Sequence, residues 1–218
     1  VESGSEGKPY VLEDPRPIAE EAPYTFFLPD TAYINALLVG DLVKIVFQYT
    51  VPVEQYPAER MWVKISSIEN DHFTGVLGNE PYEKIIKYGE IVNFERYHIL
   101  DFVYETERPN VPAIPPKREY WERCLVDACV LDDSVPVEYI YREVPDLADA
   151  DDKYPDSGWR IRGKQGDASD IEMEGRSIEY IAVGKVLNED DSWLNLIDEP
   201  VGSAFMRDFK QNIYVRHM

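Results

Sequence analysis

Between Asp41 and Asp101 the apolar positions fall into short runs rich in β-forming residues. Leu42, Val43, Ile45, Val46 and Phe47 make the first; Met61, Trp62, Val63, Ile65 and Ile68 make the second, beyond Pro52 and Pro57. Asn70 and Asp71 supply a turn into Phe73–Leu77, and Gly89 opens a last run through Ile91, Val92, Phe94, Tyr97 and Ile99. Four closely spaced runs joined by short turns predict a small antiparallel sheet curled toward a barrel. Just ahead of it, Asp30 is placed to cap a short helix through about Leu38, closed by Gly40.

The second half reads differently. Cys124–Leu131 is an apolar run that predicts a buried strand, followed by strands at Val137–Glu143 and Gly158–Arg162. Ser177 predicts the start of a helix reaching Asn188, because Ile178, Ile181, Ala182 and Val186 share one face at the 3.6-residue period. Trp193, Leu194, Leu196 and Ile197 form an apolar turn, and Ser203–Phe209 and Asn212–Val215 close the chain as strands.

These patterns predict an α+β protein of two small domains. The N-terminal one is an antiparallel, barrel-like β-sheet with a short helix, and the C-terminal one a mixed sheet with one main helix. Prolines set the expected layout: an extended arm over residues 1–29, a β-rich domain over 30–104, a Pro-rich linker over 105–118, and an α+β domain over 119–218. A chain of 218 residues accommodates two such cores, since domains commonly run to about 100–150 residues.

Charge narrows the partners. With 42 acidic and 22 basic side chains the net charge is −20, which repels phosphate backbones and anionic membrane surfaces, and no dense Lys/Arg cluster overrides that field. Nucleic acid and membrane are therefore excluded as expected partners. The most apolar stretch, Ala36–Phe47, is broken by Gly40, Asp41 and Lys44, short of the roughly 20 residues a span needs. Two cysteines, Cys124 and Cys129, match neither a redox pair nor a zinc knuckle, and the N-terminal residues carry no secretion signal; both point to a reducing cytoplasmic setting.

Catalytic patterns are missing from the residues. His72, His98 and His217 lie far apart, no nucleophile elbow occurs, and the RGKQGD segment lacks Walker spacing. The acidic loop at Asp149 and Asp151 begins like a calcium loop. It fails where Lys153 replaces a ligand, Tyr154 replaces glycine and Arg160 stands in the bidentate glutamate position. No metal and no cofactor are expected, and the chain reads as a binding protein and not an enzyme.

The half from Cys124 onward resembles the bacterial immunity protein 33 family, formerly domain of unknown function 2185. The resemblance is carried by CLVDACVLDD, VEYIYREVPD, DSGWRI, IEYIAVGKVLN and LIDEPVGSAFMRD. The stretch from Asp41 to Phe102, with MWVKISSIENDHFTGVLGNEP and YGEIVNF, is similar to the domain of unknown function 2314 family. The first resemblance implies a cytoplasmic antidote that binds and neutralises a cognate toxin, with no catalytic residues to carry over. Acidic charge suits a basic toxin domain. Aromatics beside charge mark Tyr139, Tyr141, Arg142, Asp149, Asp151, Tyr154 and Trp193 as the expected partner surface. A stand-alone intracellular protein with a structural or regulatory binding role, lacking a toxin partner, is the alternative.

Overall fold

In-out alternation of side chains builds both sheets, and the sheets define the architecture. The computed structural model describes residues 7–111, 113–146 and 153–217. The chain divides into two units: one comprises the described residues up to Glu20 together with Phe27–Pro116, and the other comprises Glu21–Phe26 and the residues from Lys117 onward. The fold is α+β, with few helices.

The first unit contains β1 (Tyr10–Leu12), α1 (Arg16–Glu21, whose last residue belongs to the other unit), α2 (Thr31–Asn35), β2 (Leu42–Tyr49), β3 (Ala58–Glu69), β4 (His72–Leu77), β5 (Ile91–Glu95) and β6 (Asp101–Val103). Strands β1 to β5 pair in sequence order, all antiparallel, and β6 shares with β1 the free side of β2, so that the sheet nearly closes. Val43, Ile45 and Phe47 of β2 meet Met61, Val63 and Ile65 of β3 inside, all essentially without solvent exposure. Each such side chain contributes about 1.5–3 kcal/mol by leaving water. The segment expected as an arm supplies β1, whose Tyr10 is buried against Phe47 at 5.1 Å between rings.

Asp30 caps α2 as its sequence position predicts, its carboxylate accepting from Ala32 N at 2.9 Å. The helix stops at Asn35, short of Leu38, because a competing carboxylate intervenes. Buried Asp41 takes the Leu38 amide at 2.8 Å, the Glu105 amide at 2.9 Å and the Arg108 guanidinium at 2.6 Å. Arg108 is thereby anchored within the first unit, as is Ile114, whose amide donates to the Tyr33 hydroxyl.

The second unit contains β7 (Arg123–Asp127), α3 (Ala128–Asp132), β8 (Val137–Arg142), β9 (Asp156–Gly163), α4 (Asp170–Glu174), β10 (Ile178–Ala182), α5 (Val183–Glu189), β11 (Ala204–Asp208) and β12 (Ile213–Arg216). The sheet runs β10-β7-β9-β8-β11-β12, with β7 and β9 parallel and the other pairs antiparallel. Its core gathers Cys124, Val126, Ile140, Trp159, Ile161 and Phe205 from the sheet with Val130 of α3 and Val183, Val186 and Leu187 of α5.

Two apolar runs behave differently from their predicted periods. The strand expected over Cys124–Leu131 ends at Asp127, and the rest is α3, so Cys124 and Cys129 never share a strand. The helix expected from Ser177 begins only at Val183, because Ile178–Ala182 pairs antiparallel with β7 as an edge strand. Both cysteines are free thiols, and burial pushes both upward in pKa.

Residues 21–26 form a short tie inside this unit. The Tyr24 amide donates to Asn188 Oδ1 at 2.9 Å, Asn188 donates to Thr25 Oγ1 at 2.8 Å, and the Tyr24 hydroxyl donates to Asp191 at 2.6 Å. Gly184 makes this possible: a Cβ there would lie 2.8 Å from the Tyr24 carbonyl oxygen and 3.2 Å from that of Tyr120. Among the described residues no helix is long and apolar enough to cross a membrane.

Candidate interaction surface

Successive residues of a strand point to opposite faces, so the core on one face of the second sheet fixes what the other face presents. Val126, Ile140, Ile161 and Phe205 lie on the core side. Their strand neighbours therefore form a second face: Tyr180 opposite Leu125, Leu125 opposite Arg160, Arg160 opposite Tyr141, and Tyr141 opposite Ala204. A second row runs Arg162, Tyr139, Met206, Val215. Ile178, Tyr180, Met206, Ile213 and Val215 are exposed, and Leu125, Tyr139 and Tyr141 half-buried.

Charge beneath this face is tied down. Arg160, 3% exposed, grips Asp156 with two nitrogens at 2.9 and 2.8 Å and reaches Glu143 at 2.5 Å and Asp146 at 3.2 Å. These carboxylates stabilise its cation and raise its pKa. Fully buried Asp127 pairs with Arg162 at 2.9 Å, in an angle too poor for a hydrogen bond, and with Arg176 at 3.2 Å. Gly158 lets the network form: at φ +81° it sits against the Glu143 carbonyl oxygen, where any Cβ would collide.

Over the tyrosines lies a cavity of about 470 Å³, lined by Glu138, Tyr139, Tyr141, Arg162, Met173 and Met206 among others. The Tyr139 and Tyr141 rings stand 5.6 Å apart at 31°, and the His217 ring meets Tyr139 edge-on at 5.6 Å. Burial, with Glu143 nearby, raises the Tyr141 pKa, so its hydroxyl stays protonated. Arg162 donates to the Met173 carbonyl at 2.7 Å, which holds α4 at the rim.

The residues expected to form one partner surface are divided by the sheet. Tyr139 and Tyr141 occupy the open face together. Arg142, one residue on, points to the core side, where it donates to the carbonyls of Glu199 at 2.7 Å and Ser157 at 3.0 Å and lies 5.6 Å from the Trp159 ring centre. Trp193, expected at the surface, is instead fully buried, with its ring 5.6 Å from that of Trp159. Its apolar bulk completes the core, and its indole N–H has no hydrogen-bond partner among the described residues. Tyr154 stacks on Trp121 at 5.9 Å, outside the cavity lining. Asp149 and Asp151 lie outside the described residues. Arg160, which broke the calcium-loop pattern, is the centre of the buried ion network, and Trp159 is core.

Sequence reasoning missed Leu125, Glu138, Arg162, Met173 and Met206. Strand parity carries the signal for some of them: once Trp159 and Ile161 are core, Arg160 and Arg162 must share the opposite face. Among the described residues no group of three or more His, Cys, Asp or Glu is placed to hold a metal ion.

Residues 124–217 match the family model described as Immunity protein Imm33 domain, and residues 30–112 match the one described as Uncharacterized protein conserved in bacteria (DUF2314). Both resemblances read from the residues are borne out over these spans. No curated protein and no solved structure matches the chain.

Proposed function

We propose that this chain is an immunity protein that neutralises a toxin by direct binding, without catalysis, in the bacterial cytoplasm. The observation that carries the reading is the aromatic and aliphatic face left open on the second sheet, within the residues that match the immunity-protein model. Contiguous apolar surface of this kind is characteristic of protein interfaces, and tyrosines are favoured anchors in them. Residues 117–218 hold 23 acidic and 13 basic side chains, a balance that accelerates encounter with a basic toxin domain.

The test is protection of cells expressing the toxin encoded beside this gene. Tyr139→Ala with Tyr141→Ala should abolish protection while the purified variant keeps its fold and thermal unfolding. Full protection by that variant would refute the open face as the docking surface. Absence of any toxin partner in affinity capture would refute the antidote role.

A further inference from the structure

Resting on the open face as a toxin-docking surface, we propose that the cavity over Tyr139 and Tyr141 is a socket for an arginine side chain of the partner. Its walls supply what a guanidinium needs. Two tyrosine rings on one face offer aromatic surface to a planar cation, and the thioethers of Met173 and Met206 pack against its alkyl stem. The Glu138 carboxylate stands in the same lining as an acceptor. One of its oxygens takes the Gln165 amide at 2.7 Å, and the other has no hydrogen-bond partner among the described residues.

The cation already in the cavity does not oppose this arrangement. Arg162 donates from one nitrogen to the Met173 carbonyl and lies 2.9 Å from buried Asp127, a carboxylate it shares with Arg176, so its charge is only partly matched there. Arg176, on the far side of Asp127, spends its guanidinium on Asp127 and the carbonyls of Gly163 and Lys164. Glu138 supplies the second negative charge against these two guanidiniums and brings the cluster to neutrality, so the acidic excess of residues 117–218 sets the sign of what enters. The cavity falls within the size range of side-chain and small-ligand sites, roomy enough for one long residue with its flanking backbone.

The experiment is a titration of the full chain, with methionine methyls labelled for NMR, using blocked Gly-Arg-Gly and Gly-Glu-Gly tripeptides. The Met173 and Met206 signals should move with the arginine peptide and not with the glutamate peptide. Met61, in the core of the first unit, should stay still and report that the fold is intact. Glu138→Gln and Tyr141→Leu should each weaken arginine binding about fivefold, and Glu138→Gln keeps the test available if the tyrosine variant misfolds. Movement with the glutamate peptide would assign the cavity to anions through Arg162. No movement with either, or unchanged binding in folded variants, would overturn the socket. Arginine binding in a chain that fails to protect cells would sink the antidote role and leave the socket standing; protection without arginine binding would do the reverse.

Discussion

The outer faces of both sheets expose aliphatic side chains, Val11, Val76, Ile91 and Val103 on the first, but the first mixes them with paired charges and the second gathers aromatic and sulfur-bearing ones. On the first, Lys44 bonds Asp101 across the strands at 2.8 Å and lies 4.3 Å from the Trp62 ring centre, Lys64 pairs with Glu105, and Thr74 bonds Asn93. Such cross-strand polar pairs let a half-buried antiparallel sheet face water. On the second, the equivalent positions hold tyrosine, leucine, methionine, isoleucine and valine above arginines locked to carboxylates. The difference that remains is the pair of tyrosines and the methionine over a cavity, which is why the proposed docking surface is placed on the second face.

Five substitutions would break or sharpen the contrast. Asp156→Ala should have the largest effect, about 3 kcal/mol, because it takes the fully buried, two-pronged partner from the Arg160 cation and leaves it only the more exposed Glu143 and Asp146; the urea midpoint followed by tryptophan fluorescence would fall accordingly. Tyr24→Ala should cost the second unit about 2 kcal/mol by removing ring packing on Tyr120 and the bond to Asp191, read from the same transition.

The third concerns pH response, in which His98 distinguishes the first unit on the acid side, whereas burial raises tyrosines in both units, Tyr49 in the first and Tyr24 and Tyr214 in the second. Burial holds His98 of the first unit below its usual 6.5, and its Nδ1 accepts from the Glu95 amide at 2.9 Å, as a neutral ring must. On acidification below 6.5 the unfolded chain takes a proton that the folded one resists, so His98 contributes stability above that pH and loses it as pH falls through the folded value. Tyr24 and Tyr214 of the second unit are pushed up to about 12, chiefly by burial. Their contribution is complete below pH 10 and disappears as pH rises through 12. Urea titrations at pH 5, 7 and 11 should show His98→Gln flattening only the acid limb.

The smallest stability effects belong to the faces themselves. Lys64→Ser removes an ion pair more than half exposed on both sides and should change stability by less than about 1 kcal/mol, without altering binding of a hydrophobic dye. Met206→Ser should be as mild in unfolding, yet lower dye binding measurably.

Much of the first unit was legible because its strands alternate cleanly: Val43, Ile45 and Phe47, or Met61, Val63 and Ile65, can face only one way. Asp30 was legible as a cap for an equally local reason. What escaped were choices made by distant partners. Ile178, Ile181, Ala182 and Val186 satisfy the helical period, but hydrogen bonding to β7 claims the first three for a strand. Trp193 follows Asp190, Asp191 and Ser192, a polar run that disguises its burial against Trp159, 34 positions earlier. Arg142 beside Tyr141 looked like one cluster in sequence, and the pleat sent the two to opposite sides of the sheet.

The tie made by Tyr24 and Thr25 bears on how this protein can be dissected. A fragment trimmed to the limits of the family match would start at residue 124 and discard that peptide together with Tyr120, stripping Gly184, Asn188 and Asp191 of their companions. The compact unit is longer than the sequence signature and not contiguous with it, so an excised version should carry residues 21–26 grafted back, or supplied as a separate peptide in trans.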